Sequence, residues 1–256
     1  MALKEVKKGS VAFLMPCGSP VEPRAVQSLL NMVSKSAIEG HPCEFVGVTE
    51  RTLVHAARNY LARGFLEDTQ CEWAFWADSD MIFEPRTIPV MLKWAQKLNT
   101  KMLTGIYFQR GGKFGPVIWK KKVVGEDGVI VKTAADDFGH FPVYPGVANE
   151  DGSVKVCPGG PPFRVDVAGF GCVLVHRDVF TKLEYPYFKF NFYKNAKGEP
   201  KESSEDYHFF IEAKKAGFDL WAVPELELGH IGQAPVITYR DCKMADDTVA
   251  IKEARA

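Results

Sequence analysis

Apolar positions along the first hundred residues fall into two periods. Short apolar runs at Ser10–Met15, Glu44–Thr49, Trp73–Ala77 and Met102–Tyr107 predict four strands. Between them, apolar residues recur at helical spacing. Val26, Leu29, Leu30, Val33 and Ala37 predict a helix that stops at Gly40. Leu53, Ala56, Ala57, Tyr60 and Leu61 predict a second over Thr52–Leu66, and a third covers about Thr87–Lys97. Strand–helix alternation with short links predicts an α/β fold, a doubly wound, mostly parallel sheet of the Rossmann-like kind. In such a sheet ligands bind beyond the carboxyl ends of the strands. Residues 16–19, 49–51 and 78–80 all fall at that edge.

The pattern breaks after Tyr107. Residues 108–168 are rich in Gly, Pro and short β-runs (Val117–Trp119, Val129–Lys132, Arg164–Val167), which predicts a β-rich insertion of hairpins and loops. Alternation resumes with a strand at Cys172–Val175, a helix from Asp178, a helix over Glu205–Ala216 and a strand at Leu220–Val223. The chain then reads as one domain over 1–256. It has a first half (10–107), the insertion (108–168), a second half (169–232) and a polar tail (233–256).

The richest stretch for chemistry ends the third strand. Asp78 and Asp80, flanking Ser79, follow the apolar run Trp73–Ala77. If the strand continues, residues i and i+2 share a face, so both acids aim at one point. Concentrated negative charge there suits Mg²⁺ or Mn²⁺, held by one or two carboxylates plus phosphate oxygens. The same residues also suit a solvated turn that caps the helix near Arg86.

Four other places carry polar candidates. Arg58-Asn59 lies in the second helix, where a surface arginine in i,i+4 contacts is the plainer reading. Gly169-Phe170-Gly171 permits close backbone approach to a ligand, or a β-bulge. Ser203-Ser204-Glu205-Asp206 opens a helix; Ser203 and Asp206 fit a capping box, and Asp206 also fits a general base. His230 follows an apolar strand and adds an imidazole to the two acids, a borderline set suited to Mn²⁺.

Composition adds little. Apolar residues at 46% and charged residues at 25% of 256 fit a globular chain. Lys+Arg 32 balances Asp+Glu 32, so net charge names no partner. Six cysteines without a C-x-x-C pair argue against a zinc ribbon or disulfide framework and suit a reducing cytoplasm. No stretch is long and apolar enough to predict a membrane span. Charge is uneven locally: between Pro85 and Gly125 nine basic residues (Arg86, Lys93, Lys97, Lys101, Arg110, Lys113, Lys120, Lys121, Lys122) meet no acid. This is a solvated face or a rim that attracts a polyanion.

Taken in order, the Pro16 turn, Ala57-Arg58-Asn59, Asp78-Ser79-Asp80, Gly169-Phe170-Gly171, Glu205-Asp206 and His230 after Pro224-Glu225 make the chain resemble the GT-A nucleotide-sugar glycosyltransferases, family-2-like members included. The resemblance implies transfer of a sugar from a nucleoside diphosphate sugar, a UDP-sugar foremost, to a hydroxyl acceptor. It implies that Asp80, His230 and Asp78 hold Mn²⁺ or Mg²⁺, and that Asp78 and Ser79 also meet the sugar nucleotide. Pro16, Thr49 and Glu50 would hold the nucleoside, and Arg58 would approach the base or diphosphate. Gly169 and Gly171 would line the sugar, and Asp206 with Glu205 would supply the base of an inverting reaction. The acceptor stays open: a glycan, a small molecule, or a hydroxylated base in DNA as in soluble phage-type members. A nucleotidyltransferase would want a glycine- and basic-rich loop after the first strand, which residues 16–20 supply poorly. A non-catalytic nucleotide-sugar-binding module, its acids serving as caps, is the remaining alternative.

Overall fold

The computed structural model describes residues 5–18, 21–48, 53–110, 116–121, 138–140, 160–194 and 200–232. Thr49, Glu50, the Val129–Lys132 run, Lys113, Lys122 and the tail from 233 lie outside them.

The first half runs β1 (Lys7–Pro16), α1 (Pro23–Ile38), β2 (Cys43–Val48), α2 (Val54–Asp68), β3 (Cys71–Ala77), β4 (Met81–Ile82), α3 (Thr87–Leu98) and β5 (Met102–Gly105). The insertion holds β6 (Ile118–Lys121), β7 (Phe138–His140), β8 (Phe163–Val165) and β9 (Val167–Ala168). The second half follows with β10 (Cys172–His176), α4 (Arg177–Lys182), β11 (Asn191–Lys194), β12 (Pro200–Ser203), α5 (Glu205–Lys215), β13 (Leu220–Val223) and β14 (Gly229–His230).

Seven strands form the central sheet in the order β2-β1-β3-β10-β5-β13-β8. β1 pairs parallel with β2 and β3, and β13 pairs parallel with β5. β10 is antiparallel to both β3 and β5, and β8 is antiparallel to β13. Five of the seven strands therefore share one direction, so the sheet is mixed and mostly parallel. The reversal of β10 has a cause in the chain path. The insertion leaves at the carboxyl end of β5 and returns at the same edge through Gly169–Gly171. β10 must then run backwards, and Cys172 pairs with Ala77, the last residue of β3.

Alternation along the strands sorts side chains onto two cores. Val11, Phe13, Met15, Phe75 and Ala77 pack with Leu29, Met32 and Met91 of α1 and α3. Ala12, Leu14, Ala74 and Trp76 pack with Leu61, Phe65, Phe209 and Ala213 of α2 and α5. Helices thus cover both faces, as double winding requires.

Three expectations shift. In α1 the buried residues are Ala25, Leu29, Met32 and Ser36, whereas Val26 and Leu30 are exposed. In α2 they are Ala57, Arg58, Asn59, Leu61, Ala62 and Phe65, with Leu53 and Tyr60 exposed. Both stripes are rotated from the expected ones, and in α2 the rotation carries Arg58 inward. The Arg164–Val167 run is two strands: β8 extends the central sheet, and β9 joins β6 and β7 in a separate sheet.

Candidate active site at the carboxyl edge

Asp78 follows Ala77 on the side of Trp76, where α2 and α5 lie. The strand stops there. Asp78, Ser79 and Asp80 form a turn in which Met81 N donates to Asp78 O at 3.3 Å. The i,i+2 argument therefore does not hold across this motif, and the two acids have different partners.

Asp78 meets Arg58. The Arg58 side chain is 4% exposed, in contrast to the surface arginine that pattern alone suggests. Its Nη1 donates to Glu205 Oε1 at 2.7 Å and to Asp206 Oδ1, and its Nη2 donates to Asp78 Oδ1 at 3.2 Å. Its plane lies over the Phe170 ring, 5.2 Å from the centroid. A buried guanidinium needs countercharge, and here three carboxylates share it. They hold its proton well above the ordinary arginine range despite burial. Arg58 therefore organises the acids through its two Nη groups. The next residue anchors the surrounding loop. Asn59 Nδ2 donates to Phe188 O at 2.6 Å, and Phe188 N donates to Asn59 Oδ1 at 3.0 Å.

Glu205 and Asp206 occupy the first turn of α5, but the expected capping box is not formed. Ser203 ends β12, Ser204 is the N-cap, and its side chain makes no capping bond. The acids point to Arg58 instead. Burial pushes the Asp206 carboxyl up to about 7, against the pull of Arg58 and with added repulsion from Glu205 and Asp78. The Phe170 backbone bonds to it. The side chain keeps 19% exposure, which leaves it reachable.

Asp80 meets His230. β14 pairs antiparallel with β4, placing His230 opposite Met81, and Ile231 N donates to Asp80 O at 2.8 Å. His230 Nδ1 lies 2.7 Å from Phe108 O. That carbonyl can only accept, so in the neutral ring Nδ1 carries the hydrogen and Nε2 keeps its lone pair. Nε2 faces Asp80 Oδ1 at 3.5 Å. Among the described residues Oδ1 is buried without a hydrogen-bond partner, while Oδ2 pairs with Arg110 Nη1 at 2.6 Å. Burial alone would raise the Asp80 carboxyl; with the His230 ring protonated, that ring and Arg110 hold it below the usual range. Two lone-pair donors facing one another fit a cation between them, and the Nδ1–carbonyl bond is the usual orienting contact for a ligating histidine. Among the described residues no three His, Cys, Asp or Glu side chains cluster to hold a metal. A cation here would take two protein ligands and draw others from water or phosphate, a set that fits Mn²⁺ or Mg²⁺.

Tyr107, expected only as the end of the fourth strand, lies between the two groups. Its ring packs edge-on against His230, 5.4 Å between centroids, and its hydroxyl accepts from Gly171 N at 3.0 Å. Burial, together with the charges of Asp78 and Asp206, keeps that hydroxyl protonated far above pH 10. A Cβ on Gly169 would stand 2.3 Å from the Tyr107 oxygen, and one on Gly171 would stand 2.7 Å from Tyr107 Cζ. The close approach that these glycines permit is thus to Tyr107. Pro16 ends β1 at the same edge, half-buried opposite Val48, and Ser79 sits half-buried in the turn.

The basic residues of 85–125 do not form one rim among the described residues. Lys101 precedes β5 at the opposite edge and pairs with Asp178 at 3.1 Å, whereas Arg110 lies beyond the carboxyl end. A cleft of about 410 Å³ between residues 182–189 and the outer face of α5 contains none of the candidate residues.

No protein-family model matches the chain. No curated protein matches it at a significant level. Solved structures do match. A crystal structure of A197 from STIV aligns with 87% of this chain and 85% of its own, at 18% identity and a TM-score of 0.49. A crystal structure of GalNAc-T7 with UDP, GalNAc and Mn²⁺ aligns with 88% of this chain and 44% of its own, at 11% identity and a TM-score of 0.51. At such identity the likeness concerns the fold. The likeness to the second structure and the mixed, mostly parallel sheet flanked by helices fit an α/β, GT-A-like architecture. Among the described residues no helix is long and apolar enough to cross a membrane.

Proposed function

We propose that this protein is an inverting glycosyltransferase that moves a sugar from a nucleoside diphosphate sugar, UDP-linked foremost, to a hydroxyl acceptor. One observation carries the reading. At one sheet edge, on either side of Tyr107, a facing Asp80–His230 pair stands beside a reachable carboxylate whose pKa is raised toward neutrality. The GT-A-like fold supports it, since α/β sheets bind ligands at this edge.

Asp80 Oδ1 and His230 Nε2 are the atoms suited to hold Mn²⁺ or Mg²⁺. When bound, the cation supplies Lewis-acid neutralisation of the departing diphosphate. The chain's own residues account for the rest. Asp206 accepts the proton of the acceptor hydroxyl as its oxygen bonds to the anomeric carbon. The bond from that carbon to the diphosphate breaks, and its electron pair leaves with the phosphate oxygen. A base with a pKa near the working pH is efficient in this role, contributing about 10²–10⁴-fold. Arg58, itself fixed by Glu205, holds the Asp206 carboxylate in place. Asp78, half-buried beside them, is suited to hydroxyls of the donor, with Ser79 and Pro16 toward the nucleoside.

The test is to incubate the protein with a panel of nucleotide sugars and Mn²⁺ and measure nucleoside diphosphate release. Release with one donor, abolished by chelator, is the expected outcome. No release and no binding of any nucleoside diphosphate rejects the proposal.

A further inference from the structure

We infer that Arg110 is a phosphate-binding residue that shares Asp80 with the cation site and turns to the diphosphate when the nucleotide arrives; this rests on the function proposed above.

The two arginines of the edge differ in kind. Arg58 is buried at 4% exposure, and both of its Nη groups are engaged by three carboxylates. Arg110 is 53% exposed, and its Nη1 is paired with a single oxygen, Asp80 Oδ2, at 2.6 Å. The other oxygen of that carboxylate is the buried Oδ1, which faces His230 and has no hydrogen-bond partner among the described residues. Asp80 is therefore divided between a guanidinium and the ring nitrogen of His230.

The backbone fixes this arrangement. Phe108 accepts from His230 through its carbonyl and bridges to Pro116. Arg110 stands two residues further on, so the anchor that orients His230 also brings the guanidinium to the same carboxylate. A planar fork with five donors suits phosphate oxygens, which it can bind two at a time.

Charge then dictates a sign. Asp80 and Arg110 cancel before anything binds. A divalent cation arriving alone next to Arg110 is repelled by it. A cation that arrives with a nucleoside diphosphate brings excess negative charge, and Arg110 then attracts the complex. Arg110 should thus oppose Mn²⁺ alone and favour Mn²⁺ with the diphosphate.

Calorimetric titrations of the full chain test this with Mn²⁺ alone and with uridine diphosphate in excess Mn²⁺. Arg110→Gln is compared with wild type and with Arg86→Gln, an exposed position of the same basic segment. Arg110→Gln is expected to bind Mn²⁺ about threefold or more tighter. The same variant should bind uridine diphosphate about tenfold or more weaker. Arg86→Gln should change neither appreciably. Unchanged diphosphate affinity in Arg110→Gln overturns the inference, as does an equal loss in Arg86→Gln or weaker binding of Mn²⁺ alone. Wild type that binds Mn²⁺ but no nucleoside diphosphate rejects the proposed function itself, a different result from equal binding by wild type and variant.

Discussion

Arg58 and Asp206, 148 positions apart in the chain, form a buried ion pair that also holds Glu205 and Asp78. The pair ties α2 of the first half to α5 of the second. It places one positive charge among three carboxylates at the sheet edge, so the acids lack full compensation. Stability and acidity at this point are therefore coupled.

Removing the cation exposes that coupling. Arg58→Ala leaves three carboxylates around a cavity, and breaking a buried pair from one side costs about 3–5 kcal/mol. Arg58→Ala is expected to lower the unfolding free energy by that amount, read as a lower denaturant midpoint, with Arg58→Lys recovering part of it. Equal midpoints for wild type and Arg58→Ala would mean that the network contributes nothing to the fold.

The same cluster sets a pH dependence. The Asp206 carboxyl titrates near 3.8 when unfolded and is raised to about 7 when folded. Between these values the folded state binds more protons, so this group's contribution to stability falls as pH rises from about 4 to 7. It is fully present below the unfolded value and lost above the folded one. Asp206→Asn should flatten the stability–pH curve across this window. A curve with the wild-type slope in the variant would place the titration elsewhere.

The glycine pair offers a packing test. An alanine at Gly169 would press its Cβ against the Tyr107 hydroxyl and Val117. Overpacking of this kind costs about 1–3 kcal/mol. Tyr107→Phe removes the oxygen, so Gly169→Ala should cost less in that background, a coupling read from a double-mutant cycle. Additive effects would show that Tyr107 is not what forbids a side chain at Gly169.

Much of this architecture is legible in the chain, for physical reasons that differ from element to element. Apolar runs of four to seven residues mark β1, β3, β5, β10 and β13, because a strand covered on both faces must be apolar throughout. The direction of β10 is not legible, since it depends on where a sixty-residue excursion re-enters the sheet. Helix faces are misread where adjacent stripes are both apolar. In α1, Val26 and Leu30 compete with Ala25 and Met32, and composition alone does not choose between them. The inward turn of Arg58 is invisible locally because its partners lie far along the chain. Asp80 and His230 are brought together by β4–β14 pairing of two residues each, too short to leave a pattern. Tyr107 was missed as a site residue. Its signal is indirect: two glycines separated by one residue make room for something, and nothing in the sequence says that it is an aromatic sixty positions upstream.

Cation dependence follows from the Asp80–His230 pair. Losing even an orienting contact to a metal ligand costs about 10–100-fold in affinity, and losing a ligand costs at least as much. Asp80→Ala and His230→Ala should each weaken Mn²⁺-dependent binding of uridine diphosphate by that factor or more, and chelator should do the same to wild type. Binding that survives both substitutions and the chelator would remove the cation from the site.

Asp206 separates chemistry from architecture. It lies in the first turn of α5, where an acid also favours the helix dipole, so a loss of activity alone would be ambiguous. Asp206→Asn keeps the shape and a hydrogen-bonding group toward Arg58, and it removes the capacity to accept a proton. If Asp206 is the base, kcat should fall by roughly 10²-fold or more while diphosphate affinity holds. Its pKa near neutrality adds a second signature. The wild-type rate should rise with pH through about 7 as the carboxylate ionises, and the residual rate of Asp206→Asn should lose that limb. Melting temperature, kcat and the pH profile are measured on this one variant. An intact fold with an intact rate and an unchanged limb would leave Asp206 as an ion-pair partner of Arg58 and point to retention of configuration, which needs no such base.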